Sequence, residues 1–208
     1  MKTRPAPKLR LYQEMTLLAL KDEKGTVSIA NLAQILAGAL IAELILEGRI
    51  RVSEDKKKLV DLIDSQAFGD PLLDECLQKL ATAKRRANLR TWVGRFASLK
   101  RLHHRAAQSL CELGILKLEK EKVLFVFERT VYPEIDPAPE RSILARLEDA
   151  VFSEKEELAP RDVVLVSLAD AAKLLDPIFG RKRVKPHRKR IKRIIDGELA
   201  GKEIGRAH

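Results

Sequence analysis

Aromatic side chains make up only 4% of this 208-residue chain. Aliphatic residues must therefore build its core. Cysteine is nearly absent, with Cys76 and Cys111 the two examples. Each lies on an apolar helical stripe without metal-ligand spacing around it. That pattern points to free thiols in a reducing compartment, and no metal centre is expected. The opening "MKTRPAPKLRLYQEM" lacks the apolar stretch of a signal peptide. The longest weakly charged run, residues 29–46, still holds Asn31, Gln34 and Glu43. A spanning helix needs about 20 predominantly apolar residues. The run is therefore predicted to be a buried core helix. Enzyme signatures are also missing: there is no GxGxxG, P-loop, HExxH or GxSxG. The His103–His104 pair and the scattered acids form no catalytic set. Neither an enzyme nor a cofactor is expected.

What is present is aliphatic periodicity and positive charge. The length suits one domain, and 45% hydrophobic content is ordinary for a globular chain. A net charge of +10 predicts attraction to polyanions: nucleic acid, anionic headgroups or acidic protein tails. Charge alone does not choose among them. Residues 1–10, with two prolines and no periodicity, read as a loose arm before one helical body over 11–208.

Helices are expected over 11–21, 31–47, 98–113 and 163–175, with shorter ones around 90–96 and 187–195. The 31–47 segment is apolar on nearly all sides, so other elements must surround it. Asp70 and Pro71 announce a further helix with a stripe at Leu72, Leu73, Cys76, Leu77 and Leu80. Two hairpins are expected, at 50–62 and 115–129. "AELILEGRIRVSEDKKKLVDL" and "AQSLCELGILKLEKEKVLFVF" share one plan: helix, glycine stop, isoleucine, charged-turn hairpin. The fold class is thus mainly α: a single globular domain, its central helix buried and ringed by amphipathic helices, with two β-hairpins.

Four constellations bear on function. A winged-helix reading fails at 35–46, which offers no polar face to a groove, while 99–113 has one through Lys100, His103 and His104. Lys100 and His103, spaced i, i+3 on the predicted helix, can clamp a phosphate, with Arg101 and Arg105 beside them. His103 would add its charge below roughly pH 6.5. From Lys84 to Arg105 there are eight Lys or Arg and no acid; from Arg181 to Arg193 nine of thirteen residues are basic. The second run forms a basic amphipathic helix, either docked by its isoleucines or facing an anionic partner. In "KVLFVF", residues 122–127, Val123 and Phe125 face one side of a hairpin and Leu124 and Val126 the other. Either both rows are buried, or one is left for a membrane or protein contact.

Several phrases, in order over 11–202, resemble the Golgi phosphoprotein 3 type family in its bacterial branch. They are "EMTLLALKDEKG", "AGALIAELILEGRI", "GDPLLDECLQKL", "TW" at 91–92, "AAQSLCELGIL" and "RIKRIIDGELAGK". The resemblance implies a Golgi phosphoprotein 3-like helical domain over 11–208. Eukaryotic members are peripheral Golgi-membrane proteins that recognise phosphatidylinositol 4-phosphate and the cytosolic tails of glycosyltransferases. The family's apolar hairpin, used for membrane insertion or self-association, falls at Val123, Leu124 and Phe125. Its four lipid-binding positions fall at Ser28, Ala37, Lys100 and His103, so two are replaced and two stay basic by type. The expectation is a non-enzymatic adaptor, peripheral on the cytosolic face of a membrane and of bacterial origin. Its headgroup-binding residues would be Lys100, Arg101, His103 and Arg105. Its partners would be anionic lipid headgroups and client-protein tails, with homo-oligomerisation through 122–127. A nucleic-acid binder using 84–105 and 181–193, or a protein–protein scaffold, is the alternative.

Overall fold

The computed structural model describes residues 8–21, 26–27, 31–123 and 127–199. Helix α1 spans Leu11–Ala19 and is buried along its whole length. Strands β1, Leu20–Lys21, and β2, Thr26–Val27, pair antiparallel after it. Helix α2 is Leu32–Leu46, followed by β3, Ile50–Val52, and β4, Val60–Leu62. Then come α3, Pro71–Ala81, α4, Leu89–Ala97, and α5, Leu102–Glu112. Strands β5, Glu119–Val123, and β6, Phe127–Val131, form the longest ladder. Helices α6, Ala138–Phe152, α7, Pro160–Ala171, and α8, Leu175–Phe179, follow. A basic segment closes the described chain: α9, Arg181–Val184, a 3-10 turn, Lys185–His187, and α10, Arg188–Ile195.

Helix α2 is the axis of this mainly α domain, packed against α1, α3, α4, α5 and α7. Its 15 residues span about 22 Å, short of the roughly 30 Å hydrocarbon layer. Among the described residues no helix is long and apolar enough to cross a membrane. Leu36, Ala37, Ala39, Leu40 and Leu44 are fully buried in one continuous core that draws on every long helix. Asp70 starts α3 as expected, its Oδ1 accepting the Leu72 and Leu73 N–H groups, both at 3.0 Å. Pro71 sits at the first turn, where its missing donor costs nothing.

Glu43 of α2 is a fully buried charge. Its Oε2 accepts the Leu11 N–H at 2.7 Å and Arg161 Nη2 at 3.0 Å. Its Oε1 accepts Arg161 Nη1 at 3.2 Å and Arg10 Nη1 at 3.3 Å. Arg161 Nη2 also donates to Leu9 O at 2.6 Å. One carboxylate thus ties α2 to the start of α1 and the start of α7. Beside it Glu14 bonds Arg146 at 2.6 Å, and burial pushes the Glu14 carboxyl above its ordinary range against the pull of that guanidinium. Leu9 is buried and Arg10 ion-paired, so both belong to the packed body; most of the arm expected over 1–10 lies outside the described residues.

The internal echo is real at the level of individual hydrogen bonds. After α2, Arg49 N–H donates to Leu44 O at 2.9 Å, and Ile63 N–H returns to Arg49 O at 2.8 Å. After α5, Ile115 N–H donates to Leu110 O at 3.0 Å, and Ile135 N–H returns to Ile115 O at 2.9 Å. Gly48 and Gly114 make both turns with φ of +67° and +74°. Left-handed backbone of this kind excludes a β-carbon at low cost, so each helix stops in a Schellman-type closure. The second unit inserts a longer hairpin into the same frame.

Several boundaries differ from expectation. The helix predicted over 98–113 is broken: α4 ends before Ser98, and α5 starts only at Leu102, after Arg101 takes a φ of 55°. The break turns both Leu99 and Leu102 into the core. The first helix ends at Ala19 because Leu20–Lys21 is drawn into pairing with Thr26–Val27, a third ladder beyond the two expected hairpins. Helix α7 starts at Pro160 and ends at Ala171, where Lys173 turns left-handed at φ 58°. Pro177 lies inside the first turn of α8 rather than ending a longer helix.

Candidate headgroup site

The four predicted headgroup residues are placed differently by the break before α5. Lys100 and Arg101 stand exposed in the α4–α5 turn, without an ion pair among the described residues. No side chain caps the α5 N-terminus that they flank. First-turn N–H groups at a helix start favour negative charge. Lys100 therefore lies before α5, not one turn along the same helix from His103.

His103 is exposed and stacks on His104, with ring centroids 4.0 Å apart. His104 Nδ1 meets the Tyr132 hydroxyl at 2.9 Å, which anchors that ring to the end of β6. Desolvation, then the neighbouring Arg101 charge, hold His103 below the usual histidine range. Desolvation, then His103 and Arg101, do the same to His104. The protonation expected near pH 6.5 is therefore displaced to more acidic pH.

Arg105 points away from the turn. Its Nη1 donates to Glu75 Oε2 at 2.5 Å and its Nη2 to Pro71 O at 3.4 Å, clamping α5 to α3. Of the other two family positions, Ala37 is fully buried in α2, so a side chain there faces the core. Ser28 lies outside the described residues, as do Leu124 and Phe125 of the predicted membrane-contact hairpin. Val123 ends β5, paired with Phe127.

The basic run at 181–193 divides by residue type. Val184, Ile191 and Ile194 are buried and dock it on the body. From Arg183 on the arginines are committed: Arg183 to Glu148 at 2.6 Å, Arg188 to Asp170 at 2.7 Å and Asp176 at 2.6 Å, Arg193 to Glu156 at 2.9 Å. Arg190 donates to Ala150 O and Lys155 O. Lys182, Lys185, Lys189 and Lys192, spaced three, four and three, are exposed and carry no ion pair among the described residues. The side chains that sequence reasoning missed are Glu75 and Tyr132, which orient Arg105 and His104 from 30 and 28 residues away. No local spacing could have found them.

A family model described as Golgi phosphoprotein 3 (GPP34) matches residues 11–208. The chain is 28% identical over 180 residues to vacuolar protein sorting-associated protein 74 of Eremothecium gossypii, covering 76% of this chain and 52% of that protein. It is 27% identical over 168 residues to the protein of the same name from Schizosaccharomyces pombe, covering 71% of this chain and 49% of that one. The chain thus spans about half the length of these curated relatives. A match over nearly the whole chain, on a mainly helical body with a buried axial helix, means that this protein belongs to the Golgi phosphoprotein 3 (GPP34) family.

Proposed function

We infer that this protein is a non-enzymatic, peripheral membrane adaptor that docks on anionic lipid headgroups through the α4–α5 turn. The observation that carries this reading is the turn itself. Two cations without an ion pair among the described residues, Lys100 and Arg101, flank the start of an 11-residue helix, and the resemblance puts the family's later lipid-binding pair at Lys100 and His103. A phosphate there would meet two charges and the positive end of a helix. Because Ala37 is buried and burial and Arg101 disfavour the charge of His103, the site favours negative charge generally over one phosphoinositide. The hairpin at 122–127 supplies apolar anchoring or self-association, and client-protein tails bind the docked form. The relatives' names, which refer to vacuolar protein sorting, fit a role in directing membrane cargo. Placement is on the cytosolic face.

The test is co-sedimentation with liposomes of graded anionic content. Each cation near an anionic surface contributes about 1 kcal/mol, so Lys100→Ala with Arg101→Gly should weaken binding roughly 30-fold. Glycine is chosen at 101 because the backbone there is left-handed. Unchanged binding in that variant, or no liposome binding by the wild type, would refute the reading. Retention of a nucleic-acid probe without liposome binding would move the assignment to the alternative.

A further inference from the structure

A separate basic cleft lies beside the turn. It is formed by the C-terminal end of α3, the 82–85 segment and one side of α4, and has a volume of about 660 Å³. That lies within the roughly 300–1,000 Å³ range of small-ligand pockets. Lys79, Lys84, Arg85 and Arg95 line it, with Thr82 and Ser98, and no acid does. Lys84 and Arg85 carry no ion pair among the described residues, and Lys79 is held only loosely, 3.8 Å from Glu75. Four like charges around one concavity repel each other and focus a positive potential into it. Lys100, Arg101 and His103 are not part of its wall.

The wall also contains Trp92, 2% exposed, whose indole Nε1–H has no acceptor among the described residues. Buried tryptophan donors ordinarily find a partner, and an orphan costs about 1–3 kcal/mol. Arg95 lies over the indole, its Cζ 4.5 Å from the ring centroid. The cleft therefore brings a surplus of cations against an indole that one of them, Arg95, already covers.

We propose that this cleft is a binding site for a small molecule carrying two or more phosphate groups. Arg85 and Arg95 offer planar forks for phosphate oxygens, and Lys79 and Lys84 act as point charges. A single carboxylate would leave most of the positive charge uncompensated. The same chemistry comes from a soluble polyphosphate or from a phosphorylated lipid headgroup.

Trp92 is the single tryptophan of the chain, so its fluorescence reports on the cleft directly. The wild-type protein is titrated with inositol trisphosphate and with pyrophosphate at about 0.15 M salt, which screens diffuse surface attraction. The expected result is a saturable, one-to-one change in emission. Lys84→Ala with Arg85→Ala should weaken it roughly 30-fold, while Lys100→Ala with Arg101→Gly and Lys189→Ala with Lys192→Ala leave it unchanged. Circular dichroism confirms that each variant is folded. No saturable change, or equal weakening by the Lys189 and Lys192 pair, overturns the proposal. A second arm adds vesicles containing a phosphoinositide. Release of bound protein by inositol trisphosphate makes the ligand a lipid headgroup; a filled cleft with vesicle binding intact makes it a soluble polyphosphate. Because the turn variant is scored separately, failure of membrane docking and failure of this site are read independently.

Discussion

Replacing Glu43 by alanine should cost about 3 kcal/mol of folding stability. The carboxylate is fully buried, and its removal strands three groups at once: the Leu11 N–H and the guanidinium groups of Arg161 and Arg10. Breaking a buried ion pair by deleting one partner costs about 3–5 kcal/mol. The lower end applies because Arg161 keeps Leu9 O at 2.6 Å and is 20% exposed, while Arg10 keeps Glu47 at 3.0 Å. Domains are stable by about 5–15 kcal/mol, so the variant loses a large share of the total. With a urea m-value of about 2 kcal/mol/M the midpoint falls by about 1.5 M at constant m. Glu43→Gln keeps one acceptor for the Leu11 N–H and should lose less. Arg161→Ala made in the Glu43→Ala background should cost at least about 1 kcal/mol less than in the wild type. A Glu43→Ala midpoint within about 0.5 M of the wild type, or strict additivity with Arg161→Ala, would mean that the carboxylate is not what fastens α2 to α1 and α7.

Gly48→Ala and Gly114→Ala should each cost about 1 kcal/mol by thermal melting. An added Cβ meets nothing within 4 Å at either site, so the cost is purely backbone, and a neutral effect would refute the left-handed closure. Glu134, desolvated and facing Glu140 and Asp136, has its carboxyl pushed up to about 7. Raised above its unfolded value, it contributes stability that is full below about pH 4.5 and lost as pH rises through about 7. From pH 5 to pH 8 the wild-type urea midpoint should therefore fall relative to that of Glu134→Gln; a constant difference between the two would refute the raised carboxyl. Cys76 is fully buried and burial raises its thiol, while Cys111 is partly accessible. A chromogenic disulfide reagent should titrate one thiol in the native protein and two in urea.

The parts of the fold legible in the sequence were those set by local rules. The 31–47 segment lacks a polar face, which forces it to the centre. Asp70 before Pro71 can hardly be other than a helix start, and the glycine stops at Gly48 and Gly114 mark two copies of one turn. The break before α5 was hidden because the stripe Leu99, Leu102, Ala106, Leu110 keeps helical spacing through it; burial of Leu99 and Leu102 is compatible with either backbone. The partners of Glu43 lie 33 and 118 residues away, beyond any periodicity. The basic cleft was invisible for the same reason: its cations come from α3, the 82–85 segment and α4, and only their convergence makes a concavity.

The division between arginine and lysine along 181–193 has a chemical consequence. Every guanidinium from 183 to 193 holds a carboxylate or a carbonyl, whereas the four exposed ammonium groups hold neither among the described residues. Acylation reaches amines and spares guanidiniums. Modification of Lys182, Lys185, Lys189 and Lys192 would therefore erase four units of surface charge and leave every internal bond of the segment in place. The molecule's net charge is to that extent an adjustable quantity, separable from its architecture.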